Sequence, residues 1–348
     1  MKKMGKLLVM EKQSCYLLSD YPSIRYFTGV DLAEGFVAVT DNQRLCFTDA
    51  RYFYGVKDAL IKNGVTPILY TGIESIKIKL DDLNIKTLYL DYDKSTVREY
   101  VKFLSLGYDV KDGTETVKKI RAIKTDREID AVKRACNITQ TAFYRLLEEV
   151  KEGVTELELK EKLLTFYREL GAQGESFDTI VAFGKNSAVP HHQTGGTVLE
   201  KGMPILIDTG CLIDGYASDF TRTVYFGKPT EEFISAYNAV KQANEYAIEN
   251  IKDGTYTDQA DGYARAVLKE YGLEEYFTHS LGHGLGLEIH EYPTLSIKRK
   301  DRLGNKMLFT IEPGVYFDGK FGIRIEDTVL LDGKAERLYT DKKDLIIL

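Results

Sequence analysis

Residues 204–226, PILIDTGCLIDGYASDFTRTVYF, decide how the chain folds. Two apolar, β-prone runs flank LIDGY, and the Asp214-Gly215 pair inside it is a favoured hairpin turn. The stretch reads as an antiparallel strand pair. Each strand carries one acid among residues that otherwise look buried, Asp208 in the first and Asp219 in the second. The midpoint of 208 and 219 falls at the turn, so the two carboxylates are expected to face each other on neighbouring strands. The pattern then recurs. MLFTIEPGVYF and GIRIEDTVLL flank a second turn signal at Asp318-Gly319, and Glu312 and Glu326 take the places of the two aspartates.

Each strand pair is preceded by two helical patterns, about 126–151 and 155–170 before the first, and about 230–252 and 258–271 before the second. The order helix, helix, antiparallel pair thus occurs twice, offset by about 104 residues, as an echo of pattern and not of identity. Two similar halves related by a pseudo-twofold are expected, with a shared antiparallel sheet and a site at their junction. Ahead of them, strand patterns at 15–20, 35–40, 44–49, 66–70 and 87–92 alternate with helical patterns at 50–64, 73–83 and 94–107. This is a small α/β domain with no histidine and no Gly-rich phosphate loop, and its expected role is structural or at an interface. A charged stretch, VKKIRAIKTDREID (117–130), follows, with Thr125 and Glu128 spaced as a capping box. The boundary is placed near 118, giving domains 1–118 and 119–348.

Four carboxylates directed into one sheet repel one another and resist burial. Pairing with Arg222 and Arg324 is the simplest compensation, but two arginines do not balance four acids spread over both halves. Two divalent cations do. Such a site takes further donors, and imidazole is the usual neutral one. The chain's 5 histidines lie in two patches, His191 and His192 in AVPHH, and His279, His283 and His290 in THSLGHGLGLEIHE (278–291). Gly282, Gly284 and Gly286 argue against a long helix there and let the backbone pack closely, so His279 and His283 need not share a helix face. An HExxH zinc helix lacks its glutamate at the required position. A zinc site built from His279, His283 and His290 stays open, but it leaves the strand acids unexplained. The GxGxG run has neither the lysine nor the strand–helix context of a nucleotide loop.

The chain has 348 residues, 43% hydrophobic and 29% charged, with a net charge of -6, which suits one or two globular domains. No basic run is long enough for a nucleic-acid track, and the longest apolar stretches are strand-sized and too short to span a membrane. The start, MKKMGKLLVMEK, has too short an apolar segment for a signal peptide. The 4 cysteines, Cys15, Cys46, Cys136 and Cys211, are widely spaced without a CxxC, and reduced thiols in a cytoplasmic protein are expected. Cys211, near the acids, reads as a small buried apolar residue.

AVPHH, ILIDTG, SDFTRT, SLGHGLGLEIHE, TIEPGVY and RIEDT together resemble the pita-bread metallopeptidases, the family of methionine aminopeptidase, aminopeptidase P and prolidase. The likeness runs from about 120 to 335. SIRYFTGV (23–30) and ARY (50–52) are similar to the N-terminal domain of the aminopeptidase P and prolidase branch, which methionine aminopeptidases lack. The resemblance implies an α/β (α+β) fold, in which a small α/β domain precedes a pseudo-twofold domain with a curved antiparallel sheet flanked by helices.

It further implies two divalent metal ions, manganese or cobalt first and zinc or iron as alternatives, held by Asp208, Asp219, His283, Glu312 and Glu326. Asp219 and Glu326 would bridge, and Glu312 would also shuttle a proton during attack of water on the scissile carbonyl. His191 and His290 would contact substrate, and His279 would join His290 in positioning it and stabilising the tetrahedral intermediate. Arg324, on the same strand face as Glu326, would orient carboxylates or touch substrate. Tyr216 would hydrogen-bond near Asp219, and His192 would be a neighbour. The implied substrate is a peptide with proline at the second position, cut by a cytoplasmic homodimer. Thr294, in HEYPTL, stands where prolidases often carry an arginine for the dipeptide carboxylate. The expectation is therefore an Xaa-Pro aminopeptidase, with an Xaa-Pro dipeptidase as the alternative. A non-catalytic binding protein on the same fold, or a metal-free creatine amidinohydrolase type, is disfavoured because no ligand is missing.

Overall fold

Short strands and amphipathic helices alternate through the first third of the chain. The structure, a computed structural model, describes residues 11–348; the lysine-containing start of the chain, residues 1–10, lies outside the described residues. The chain divides into two units, Met1–Arg121 and Ala122–Leu348.

In the first unit, β1 (Ser14–Leu18), β2 (Phe36–Val39), β3 (Arg44–Thr48), β4 (Thr66–Leu69), β5 (Thr87–Leu90) and β6 (Asp109–Asp112) form one sheet in the order β4-β3-β2-β1-β5-β6. The pairs β1–β5, β5–β6 and β3–β4 are parallel, and β2 runs antiparallel to both its neighbours. Alternation along β1 sends Cys15 and Leu17 into a core with Phe47, Ile76 and Leu80, and Tyr16 and Leu18 into another with Ile24, Phe27 and Val37. Helices α1 (Tyr21–Thr28), α2 (Ala50–Lys62), α3 (Ile73–Asp82), α4 (Val97–Ser105) and α5 (Thr114–Ala122) complete it. Helix α1 was not expected. Asp20 caps it by accepting from Ser23 N at 2.9 Å, and Gly29 ends it at φ 69°.

The second unit opens with α6 (Asp126–Leu147) and α7 (Glu156–Glu169), each started by a complete capping box, Thr125 with Glu128 and Thr155 with Glu158. There follow β7 (Ile180–Phe183), β8 (Met203–Thr209), β9 (Leu212–Ile213), β10 (Tyr216–Ala217) and β11 (Phe220–Phe226). The second half repeats the order with α8 (Glu231–Asn250), α9 (Thr257–Glu270), β12 (Gly282–Gly284), β13 (Glu291–Leu295), β14 (Leu308–Ile311), β15 (Gly314–Phe317), β16 (Phe321–Arg324), β17 (Asp327–Asp332) and β18 (Lys334–Arg337). The sheets run β11-β8-β7 and β13-β12-β14-β17-β18, with β9–β10 and β15–β16 as hairpin tips. One helix pair backs each half, α6 and α7 against Ile205, Ile207 and Val224, and α8 and α9 against Phe309, Ile311 and Val329. The halves meet where Glu326 N donates to Thr221 O at 3.0 Å and Arg324 N to Thr223 Oγ1 at 3.2 Å. Among the described residues no helix is long and apolar enough to cross a membrane.

The two hairpins treat their acids differently. In the second, Gly314 pairs with Arg324 and Ile311 with Asp327, a register that sets Glu312 opposite Glu326 as expected. In the first, Asp208 pairs with Thr221, not with Asp219. The tip centres on Asp214-Gly215, both at positive φ (50° and 76°), with Ile213 facing Tyr216. That is one residue past the midpoint of the acids, so Asp208 and Asp219 are diagonal neighbours.

Arg222 does not answer the site's acids. Residues alternate along β11, so Thr221 and Thr223 face the junction and Arg222 faces away. There it donates to Asp327 Oδ1 at 2.7 Å and to both oxygens of Asp341 at 2.8 and 2.9 Å, and Arg337 and Lys343 also donate to Asp327, at 3.1 and 3.2 Å. Burial alone would raise the Asp327 carboxyl, but Arg222, Lys343 and Arg337 hold it well below the usual carboxylate range. A carboxyl depressed on folding adds stability above its unfolded pKa, about 3.9, and loses it as the pH falls toward its folded value. Asp327→Ala leaves three cations short of a partner and is expected to cost about 3–5 kcal/mol in urea unfolding at neutral pH. The gap between wild type and variant should narrow as the pH is lowered below about 4.

Candidate metal centre

The site is assembled from strand ends. Asp208 lies near the end of β8, Asp219 just ahead of β11, and His283 in the middle of β12. Glu312 and Glu326 occupy the gap where the β14–β17 ladder gives way to β15–β16. Glycine is required on either side of His283. A Cβ on Gly282 would lie 2.0 Å from Thr310 O, and one on Gly284 would lie 2.3 Å from Tyr292 O. Strand β12 can therefore lie flush between β13 and β14 only as Gly-His-Gly.

One donor atom each from Asp219, His283 and Glu326 lie within 4.8 Å of one another. The His283 Nε2 atom is 3.5 Å from Asp219 Oδ2 and 3.3 Å from Glu312 Oε1. Its Nδ1 faces the Gly284 carbonyl at 3.2 Å, which can only accept, so Nδ1 carries hydrogen and Nε2 is the nitrogen turned toward the acids. The other acids are held from outside. Glu326 Oε2 accepts from Thr221 Oγ1 at 2.6 Å, Glu312 Oε1 from Thr310 Oγ1 at 3.1 Å, and Asp208 Oδ2 from Arg324 Nη2 at 2.5 Å. Asp208 Oδ1 and Glu326 Oε1 are buried and accept no hydrogen bond.

The electrostatics follow from this crowding. Burial first, and then Asp208, pushes the Asp219 carboxyl well above its ordinary range; burial and then Asp219 do the same to Glu326. His283 is the local counter-charge. Burial alone would lower it, but Glu312 and Asp219 overturn that and raise it to about 9. Two orphaned buried oxygens, two carboxyls forced up by their neighbours and an inward-facing imidazole nitrogen are a donor set short of positive charge. They fit divalent cations.

The remaining expected residues divide. His290 is exposed, with its ring 4.2 Å from that of His283, and burial and then the His283 charge lower its pKa. His191 is exposed too, and its charge bears on both His279 and His290. His279 is turned inward. Its Nδ1 donates to Ser280 O at 2.9 Å, and its Nε2 is 2.9 Å from Tyr316 Oη. Burial lowers its pKa, so the ring is neutral, Nε2 accepts from the tyrosine, and both nitrogens are occupied. Tyr316 Oη in turn accepts from Arg324 Nη1 at 2.7 Å, which completes a chain from His279 through Tyr316 and Arg324 to Asp208. Sequence reasoning missed Tyr316, although it closes the TIEPGVY run. It also missed Arg265, which donates to Asp261 at 2.5 Å and to His279 O at 2.8 Å, and the buried Lys124–Glu291 pair (3.0 Å) beside His290. Tyr216 donates to Glu128 Oε1 at 3.1 Å. All four cysteines are free and buried, and burial pushes the Cys136 thiol up to about 12, which makes it inert.

A pseudo-twofold sheet with carboxylates and an imidazole converging at its centre defines a pita-bread metallopeptidase. The chain belongs to metallopeptidase family M24: residues 130–332 match that family's model, and residues 1–123 match the creatinase/prolidase N-terminal domain. It is 32% identical to the Xaa-Pro dipeptidase of Pyrococcus horikoshii, with 99% of each chain covered. Among solved structures, it is similar to an Xaa-Pro dipeptidase from Bacillus anthracis (TM-score 0.92, 34% identity, 96% of this chain and 95% of that one). It is also similar to an X-Pro aminopeptidase from Thermotoga maritima (TM-score 0.88, 33% identity, 96% and 97% covered).

If the acids repel until cations arrive, manganese at about 100 times its Kd should stabilise the wild type by about 2.7 kcal/mol over the chelated protein. Glu326→Gln should lose that gain, yet be at least as stable as wild type in chelator, because one repelling carboxylate is gone. Thermal unfolding with and without chelator reads both effects.

Proposed function

We propose that the protein is an Xaa-Pro dipeptidase. The observation that carries this reading is end-to-end likeness, over both units, to proteins named as Xaa-Pro dipeptidases. It moves the reading away from the aminopeptidase expected from the sequence, which rested on Thr294. The aminopeptidase remains the second reading, supported by Thr294 and by the likeness to the Thermotoga maritima protein.

In this reading Asp208, Asp219, His283, Glu312 and Glu326 hold two divalent ions, manganese or cobalt before zinc or iron, as their oxygen-rich donor set suits. Such ions, when bound, supply Lewis acidity that makes water nucleophilic near neutral pH and polarises the scissile carbonyl. Glu312, whose Oε1 lies 3.3 Å from His283 Nε2, takes the proton from the attacking water. It then returns that proton to the leaving proline nitrogen. His290 and His191, the exposed histidines, donate hydrogen bonds to the substrate's carbonyl and carboxylate oxygens. His279 acts at one remove, fixing Tyr316 and through it Arg324 and Asp208. A prolyl bond offers no N–H, so recognition rests on the free amino end, the carbonyl and the ring. The substrate is a dipeptide with proline second, neither nucleic acid nor membrane is a partner, and a homodimer is the working form.

The test supplies manganese-loaded protein with an Xaa-Pro dipeptide and an Xaa-Pro-Yaa tripeptide at equal concentration. Faster cleavage of the dipeptide is expected, and release of the first residue from the tripeptide alone would make the protein an aminopeptidase. Thr294 pairs with His283 across β12–β13 and is exposed, so position 294 borders the site. Thr294→Arg should lower KM for the dipeptide about ten-fold with little change in kcat, since a charge-assisted hydrogen bond is worth about 1.5–3 kcal/mol.

A further inference from the structure

The two adjacent histidines of AVPHH do different things. His191 is exposed toward the site, whereas the His192 side chain is 17% exposed and its Nε2 donates to Glu156 Oε2 at 2.9 Å. Glu156, the first residue of α7, is wholly buried. It accepts four hydrogen bonds, from Phe183 N and Asn186 Nδ2 at Oε1 (both 2.8 Å), and from His192 Nε2 and Gly195 N (3.1 Å) at Oε2. All four donors lie within residues 183–195, on both sides of His191. His192 N also donates to Val189 O at 3.1 Å, which closes a turn with Pro190 second and His191 third. His191 therefore stands at the tip of a turn whose far end is tied to a buried carboxylate. Near its start, Gly322 N donates to Ser187 Oγ at 2.9 Å, and a Cβ on Gly322 would meet Ser187 O at 2.0 Å.

A buried carboxylate that satisfies four donors from one loop costs too much desolvation to serve as filler. We propose that Glu156 and His192 are positioning residues for His191, holding its turn in the one pose that presents the His191 ring to substrate. His192 touches no substrate; it is the anchor and His191 the working group. The catalytic part of this inference rests on the dipeptidase reading.

The test compares wild type, His191→Ala, His192→Phe, the double variant and His192→Gln, all manganese-loaded, by kcat and KM on an Xaa-Pro dipeptide, by bound manganese and by thermal midpoint. His192→Phe should lower kcat ten-fold or more with bound manganese unchanged. Added to His191→Ala it should cost nothing further, because it acts through that ring. His192→Gln, which keeps a donor for Glu156, should recover most of the activity. A double variant that loses the product of the two single losses, or a fully active His192→Phe, would overturn the proposal. If the wild type cleaves no Xaa-Pro dipeptide, the dipeptidase reading fails by itself, and histidine ring resonances of the zinc-loaded protein decide the positioning claim. A His191 ring signal that shifts or broadens in His192→Phe supports it, and an unchanged signal refutes it.

Discussion

Repulsion among four carboxylates at the seam between two halves is the constraint on which the second unit turns. Asp208 and Asp219 arrive from one half, Glu312 and Glu326 from the other, and among the described residues His283 and Arg324 form the ion pairs with them. A fold that only needed to bury its sheet would not place acids there. The groups around them hold them in place with less positive charge than they carry negative. Threonine hydroxyls take single oxygens, Arg324 takes one oxygen of Asp208, and two glycines let a strand carrying an imidazole lie flush against the cluster.

Beyond the acids, the same logic governs the histidines. Each loop that brings one to the site is tied to a buried ion or carboxylate outside it: His191 by Glu156, His279 by Asp261 with Arg265, and the segment of His290 by Lys124 with Glu291. These ties are all within the second unit, and none is a metal ligand. They rigidify loop backbone beside the sheet ladders, and ordered polar networks do this well when every member is satisfied.

Much of this was legible in the sequence because it breaks local rules. An acid inside an apolar strand, a Gly-His-Gly in place of a helix, and Thr-x-x-Glu before a helical pattern each stand out against their surroundings, and the structure has all three. What escaped reading obeyed no pattern. The eight residues of α1 are too few for a clear period, and DVKD at β6 shows no apolar alternation. The partners of Arg222, Asp327 and Asp341, could not be read from composition, because strand alternation decides which face the guanidinium takes. The turn of the first hairpin was legible in Asp214-Gly215, but its acids are diagonal and not opposite because that turn sits one residue past their midpoint. Glu156 stands in a first helical turn, where helix chemistry alone would favour an acid, so nothing in the sequence marks it.

The seam has a consequence for how the unit comes into being. Asp208 and Asp219 precede α8, and His283, Glu312 and Glu326 follow it. Neither half on its own owns a complete set of donors, so docking of the halves and creation of the cation pocket are a single event. A chain cut in the connection between Phe226 and Glu231 would give two fragments, each blind to the metal. Reassociation would restore the pocket, and the metal would act as the latch that holds the pieces together.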